Sequence, residues 1–82
     1  MSTLDDEQLI QKVAGGDASA YRELVLRHGA RLHHFALRVT GSAAEAEDVV
    51  QETFLRLWQR ARDYSPRARV TTWLHRIALN LC

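Results

Sequence analysis

The 82-residue sequence contains a single cysteine and a single proline, and it has no Gly-rich phosphate loop. Cys82 has no second cysteine to pair with, so no internal disulfide can brace the fold, and a reducing compartment is the natural setting. No basic-then-apolar signal opens the chain, and no apolar run approaches the roughly 18 residues that a membrane span requires. A cytoplasmic chain without membrane insertion is therefore expected. The four histidines form no HxxxH pair and there is no CxxC. His33 and His34 are adjacent, which on a helix points them about 100° apart, a poor arrangement for shared metal ligation. No metal, no cofactor and no enzymatic activity is expected. Strand-period alternation, internal repeats and low-complexity tracts are also missing, which leaves helices as the material of the fold.

Helical period fills most of the chain. Hydrophobic residues make up 46% and charged residues 26%, the balance of one soluble globular domain. In LDDEQLIQKVAGG, Asp5 is placed to cap a helix with Gln8 three residues on, Leu4 and Leu9 can close a hydrophobic staple, and Gly15-Gly16 stops it. Asp17 can cap a second helix, along which Tyr21, Leu24, Val25, His28, Leu32, Phe35, Ala36 and Val39 recur at threes and fours until Gly41. His28 on that stripe reads as a satisfied core-edge residue. Ser42 and Glu45 form a capping box for a third helix. DYSPRARV then reads as an exposed loop, because Pro66 disfavours helix at Ser65 and the arginines keep the segment polar. Thr71 or Thr72 can cap a last helix whose Trp73, Leu74, Ile77, Ala78 and Leu81 share one face, with Thr72, His75, Arg76 and Leu79 pointing outward and Asn80 at the margin. The expected fold is all-α, a compact bundle of about four helices with an exposed loop before the last. A core of this size retains roughly 3–5 kcal/mol of stability, so a partner can matter to the fold.

Two features go beyond folding. Through Glu52 the chain carries nine acids and five Lys or Arg, a net of −4, and from Thr53 onward six Arg and one acid, a net of +5, which together give the formal +1. A basic C-terminal part with Tyr64 and Trp73 is the pattern of a polyanion-binding face. The second feature is EDVVQETFLRLWQRAR, residues 47–62. At about 100° per residue, Val49, Val50, Thr53, Leu57 and Ala61 fall on one side as a core stripe. Asp48, Glu52, Leu55 and Gln59 fall on the other, with Gln51 and Trp58 at its edge. A solvated surface has no need of that Leu and Trp beside acids.

Taken in order, GDASAYRELVLRH, AEDVVQETFLRLW, a short polar loop and TTWLHRIALN resemble the second conserved region of bacterial sigma factors, above all the small extracytoplasmic-function type. The resemblance runs from about Asp6 to Cys82, and DVVQETF and TWLHRIALN are its most specific strings. It implies a transcription initiation domain that binds the beta-prime clamp helices of core RNA polymerase and recognises the promoter's upstream minus-ten element as single-stranded, non-template DNA. By the same resemblance Asp48, Gln51 and Glu52 would make polar contacts to the clamp, with Leu55 and Trp58 as apolar anchors. Tyr64, Arg67, Arg69, Thr72, Trp73, Arg76 and Asn80 would meet DNA through phosphate contacts and a base pocket. An anti-sigma factor is a further partner that the family implies. The loop departs from the family, in which a Phe-Arg-Gly run and a second aromatic commonly precede the TWL string; here Tyr64 and Val70 stand in. A duplex-binding helix-turn-helix regulator and a purely protein-binding helical adaptor remain as alternatives. The whole of 1–82 reads as one region-two domain, expected to be a fragment without the family's C-terminal promoter-binding domain.

Overall fold

Local chemistry at the helix ends sets the element order. The computed structural model describes residues 3–82. α1 spans Asp6–Ala14, and its N-cap Asp5 accepts from the Gln8 amide at 2.8 Å while the Gln8 side chain accepts from the Asp5 amide at 2.9 Å. This reciprocal pair satisfies two amides that the first turn would otherwise leave unpaired. Gly16, at φ +92°, then turns the chain through the left-handed region. α2 spans Ala18–Thr40, capped by Asp17, which accepts from the Ala20 amide at 3.2 Å, and closed by Gly41 at φ +71°. α3 spans Ala43–Arg60, and a 3-10 turn, Ala61–Asp63, continues it. After a loop over residues 64–69, α4 spans Val70–Leu81.

Two expected caps differ from the structure. Ser42 accepts from the Glu45 amide at 3.3 Å, but its own amide donates to Thr40 Oγ1 at 3.3 Å. The hydroxyl of the preceding helix thus fills the place expected for Glu45. α4 begins at Val70, with Arg69 as an N-cap that makes no side-chain hydrogen bond. Thr71 and Thr72 lie inside its first turn and not at the cap. Burial of Val70 in the core fixes this start, so packing overrides the local capping signal.

α2 is the central element and packs against α1, α3 and α4. The buried set joins Leu9, Ile10 and Val13 of α1 to Leu24 and Leu32 of α2, Leu57 of α3 and Leu74 of α4. Burying each such side chain contributes about 1.5–3 kcal/mol, which offsets the entropy of ordering the chain. Two polar residues sit in this core. Thr53 donates its hydroxyl to the Val49 carbonyl at 2.7 Å, and His28 Nε2 lies 2.9 Å from Asp6 Oδ2. Arg27 reaches the same carboxylate at 3.3 Å and Glu23 at 3.2 Å, so α1's first turn is tied to α2 by charge as well as by packing. His28 is thus buried and satisfied, as its place on the stripe predicts. Val39, assigned to the same stripe, is 48% exposed. At about 1.5 Å per residue, the 23 residues of α2 match the molecule's 34 Å long axis, so its last turn runs out past the core.

Candidate functional site

α3 presents two unlike sides. Ala46, Val49, Thr53, Phe54 and Leu57 face the core. Opposite them, Asp48, Gln51 and Gln59 are exposed, Glu52 is half-buried, and Leu55 and Trp58 are 48% and 40% exposed. The helix therefore brings the five residues Asp48, Gln51, Glu52, Leu55 and Trp58 onto one outward surface. Gln51 donates to Glu47 at 3.4 Å, whereas among the described residues Asp48 and Glu52 make no hydrogen bond or ion pair. Trp58 stands edge-on to Tyr21 of α2, ring centroids 5.3 Å apart, so part of this anchor is engaged within the domain.

Sequence periodicity missed two parts of this surface. Phe54, assigned to neither side, is 4% exposed and widens the core stripe. Its i,i+4 relation to Val50 was the available signal. The other part is an apolar groove of about 510 Å³ between α2 and α3, which includes Leu26, itself 80% exposed. Leu26 follows Arg22 at i+4 and adjoins the buried stripe, so a single-helix pattern gives no reason to single it out.

The second candidate surface is assembled by a loop. The Tyr64 hydroxyl donates to the Ala68 carbonyl, and the Ala68 amide donates back to the Ser65 carbonyl at 3.3 Å. Together these bonds close the segment into a turn. The Tyr64 ring meets Trp73 edge-on at 5.4 Å, and both are half-buried against the core. Arg67 and Arg69 are exposed on the turn. On α4, Thr72, Arg76 and Asn80 recur every four residues on an exposed strip, with Leu79 beside them. His75 departs from its expected outward position. It is half-buried, edge-on to Phe35 at 5.0 Å, with Nδ1 donating to the Thr71 carbonyl at 2.7 Å.

α1 supports this loop from below. A cavity of about 190 Å³ separates them, bordered by Glu7, Gln11, Arg62, Tyr64 and Pro66. Arg62 Nε donates to the Ala14 carbonyl at 3.3 Å, tying the 3-10 turn to the end of α1. The Tyr64 hydroxyl's pKa is raised by burial first, and then by the negative charges of Glu7, Asp6 and Asp5. Burial also raises that of Tyr21. Among the described residues no group of His, Cys, Asp and Glu is placed to hold a metal ion, and no helix is long and apolar enough to cross a membrane.

Comparison with known proteins places these surfaces in context. The family described as Sigma-70 region 2 matches residues 24–82. The chain is 44% identical over 73 residues to the ECF RNA polymerase sigma factor SigL of Mycobacterium tuberculosis, covering 88% of this chain and 41% of that protein. It is 35% identical over 75 residues to the RNA polymerase sigma-H factor of Pseudomonas aeruginosa, covering 92% of this chain and 39% of that one. The chain thus spans about two fifths of the length of these relatives. Among solved structures, an engineered region 2 of sigmaE in complex with GTAAAA superposes with a TM-score of 0.84 at 33% identity, covering 99% of this chain and 85% of that one. CnrH in complex with the cytosolic domain of CnrY superposes with a TM-score of 0.83 at 36% identity, covering 93% and 49%.

Proposed function

The chain belongs to the extracytoplasmic-function sigma factors, as their region 2, and from that premise we propose that it is a binding module of transcription initiation with two working surfaces. The outer face of α3 docks the beta-prime clamp helices of core RNA polymerase. The loop over residues 64–69 and the exposed strip of α4 recognise the promoter's minus-ten element as an opened non-template strand. The work is binding and not catalysis, and it belongs in the cytoplasm.

The observation that carries the docking reading is the pairing of two acids, Asp48 and Glu52, that have no ion-pair partner among the described residues, with half-exposed Leu55 and Trp58 on one helix face. Exposed acids beside large apolar side chains suit a partner that is basic and apolar at once, and Trp is enriched where interface energy concentrates. For DNA, support comes from exposed Arg67, Arg69 and Arg76 around an aromatic pair, the combination that single strands use for phosphate neutralisation and base stacking. The likeness to a region 2 captured with GTAAAA is consistent with that reading. The likeness to CnrH, captured with the cytosolic domain of CnrY, supports an anti-sigma partner, for which the docking face is the proposed seat. Such an inhibitor and a clamp-helix peptide should compete for this domain.

The deciding experiment measures binding of the 82-residue chain to core polymerase, and then of that complex to single-stranded and duplex promoter DNA. The proposal expects polymerase binding, and preference for the single strand. Duplex preference without polymerase would favour a helix-turn-helix regulator, and polymerase-independent protein binding with no DNA affinity would favour an adaptor.

A further inference from the structure

α2 changes character along its length. Between Glu23 and Glu45 the sequence contains no acid, and after Asp63 it contains none either. The two acid-free stretches meet in the fold. Phe35 of α2 packs edge-on against His75 of α4 at 5.0 Å, and further along Thr40 and Leu81 border one cavity, so the two helices run side by side in the same direction. Arg31 and Arg38 lie four residues before and three after Phe35, and thus flank it on the surface of α2. Both are exposed, and among the described residues neither makes a hydrogen bond or ion pair. Arg27, one turn earlier, is instead held by Asp6 and Glu23. On the other side of the seam Thr72 and Leu79 likewise flank His75, and Arg76 stands beside them. The basic surface of the loop and α4 therefore continues onto α2.

The chemistry of this extension differs from that of the loop. Single strands need rings on which unpaired bases can stack, and α2's two aromatic residues, Tyr21 and Phe35, are both half-buried. A double helix keeps its bases stacked and offers regularly spaced phosphates, which cations on a rigid element can match. The seven helical steps from Arg31 to Arg38 rise about 10.5 Å, or about three base-pair steps at about 3.4 Å per phosphate along one strand. We infer that Arg31 and Arg38 hold phosphates of the double-stranded DNA adjoining the opened strand, so that α2 grips the duplex while the loop and α4 take the single strand. The inference rests on the DNA reading above and adds to it a second form of DNA and a second helix.

The test compares the wild-type 82-residue chain with an Arg31→Ala, Arg38→Ala double variant, with Arg22→Ala and with Arg76→Ala, each bound to core polymerase. Arg22 is exposed on the opposite side of α2 and controls for net charge. In circular dichroism melting and in polymerase titration the double variant should match the wild type, because both positions are exposed. Each complex is then titrated with salt against two DNAs: the single strand carrying the promoter element, and a pre-opened bubble with duplex on both sides. On the bubble the double variant should bind several-fold more weakly and flatten the log-log salt slope by about 1.8, at roughly 0.9 per duplex contact. On the single strand it should behave as the wild type. Arg22→Ala should leave both slopes unchanged, and Arg76→Ala should flatten both. Equal losses on the two DNAs would assign Arg31 and Arg38 to the single strand, and lost polymerase affinity would assign them to a protein contact; either overturns the duplex inference. So does a flattened slope for Arg22→Ala, which would mean net charge alone. A bubble slope unchanged in the double variant overturns it too, while an effect of Arg76→Ala keeps the single-strand reading. If Arg76→Ala also changes nothing, both fall. Should the double variant lose stability, the two single variants decide, at about 0.9 of slope each.

Discussion

The outer face of α3 and the segment from Tyr64 through α4, the two surfaces of the proposed function, are built in opposite ways. On α3 a continuous 18-residue helix holds Asp48, Glu52 and Leu55 outward with no partner for either acid among the described residues, so that face is formed before anything binds. In the second region the aromatics contact each other, Tyr64 against Trp73, while the arginines and α4's polar strip face outward. The first is acidic and rigid by secondary structure. The second is basic and shaped by a six-residue turn that a few hydrogen bonds hold. A preformed helical face suits protein docking, where ordering costs reduce affinity, whereas exposed arginines beside an aromatic pair suit the phosphates and bases of a single strand.

The sharpest test of this contrast lies in two neighbouring residues. Phe54→Ala should cost about 3–5 kcal/mol, comparable to the whole stability expected at this size, and leave little folded protein in urea titrations. Leu55→Ala should stay within about 0.5 kcal/mol of wild type and show its effect only in polymerase affinity. If Leu55→Ala unfolds the domain, α3 has no separate outer face.

Next in size is the salt dependence of the basic region. Neutralisation of about three phosphates by Arg67, Arg69 and Arg76 should give a log-log slope of about −2 for single-stranded promoter DNA, at roughly 0.7 per contact. Replacing any one of them with Ala should flatten the slope by about 0.7 and weaken all sequences alike. The Asp48→Ala, Glu52→Ala variant, titrated in the absence of polymerase, should leave it unchanged. A slope near zero would remove the electrostatic half of the comparison.

Tyr64→Phe should have a smaller effect. Loss of the bond to the Ala68 carbonyl should cost about 1 kcal/mol of stability and change preference among bases while keeping the salt slope. Base preference that is unchanged would mean that the turn's shape carries no specificity.

The smallest effect concerns the two tyrosines, which are the only ones in the chain. Both have pKa values raised above 10.0 in the folded state, so folding favours their neutral form. The stability this supplies is present below the unfolded value near 10 and is lost as pH rises through the raised folded values. Tyrosinate absorbance should therefore appear above pH 10, together with falling helicity. Glu7→Gln should lower the Tyr64 titration and leave that of Tyr21 in place, because Glu7 is the first of the charges acting on Tyr64. Equal titration in both proteins would mean that α1's acids do not influence the loop.

Much of the architecture was legible before any coordinates. Caps act across three residues, so the Asp5–Gln8 box, the Asp17 cap of α2 and the Ser42 half of its box with Glu45 are local statements that the folded chain keeps. The two sides of α3 were legible for the same reason, since helical period is fixed by 3.6 residues per turn. The outward positions of Asp48, Gln51, Leu55 and Trp58 followed, although their roles came only from resemblance to sigma factors.

Tertiary structure decided whatever depends on residues far apart in sequence. Val70 starts α4 because the core takes its side chain, and His75 turns inward because Phe35 on α2 offers its ring. Phe54 is buried because α2 crosses close to that edge of α3, which are the two elements in most extensive contact. The groove over Gly29 has no counterpart in either helix alone. Its walls come from Tyr21 to Gly29 and from Val50 to Phe54, and only the register between α2 and α3 sets them opposite each other. Local sequence specifies which helices form and which faces they carry. The spaces left between those faces follow from side-chain volumes meeting across two helices, which no single stretch of the chain contains.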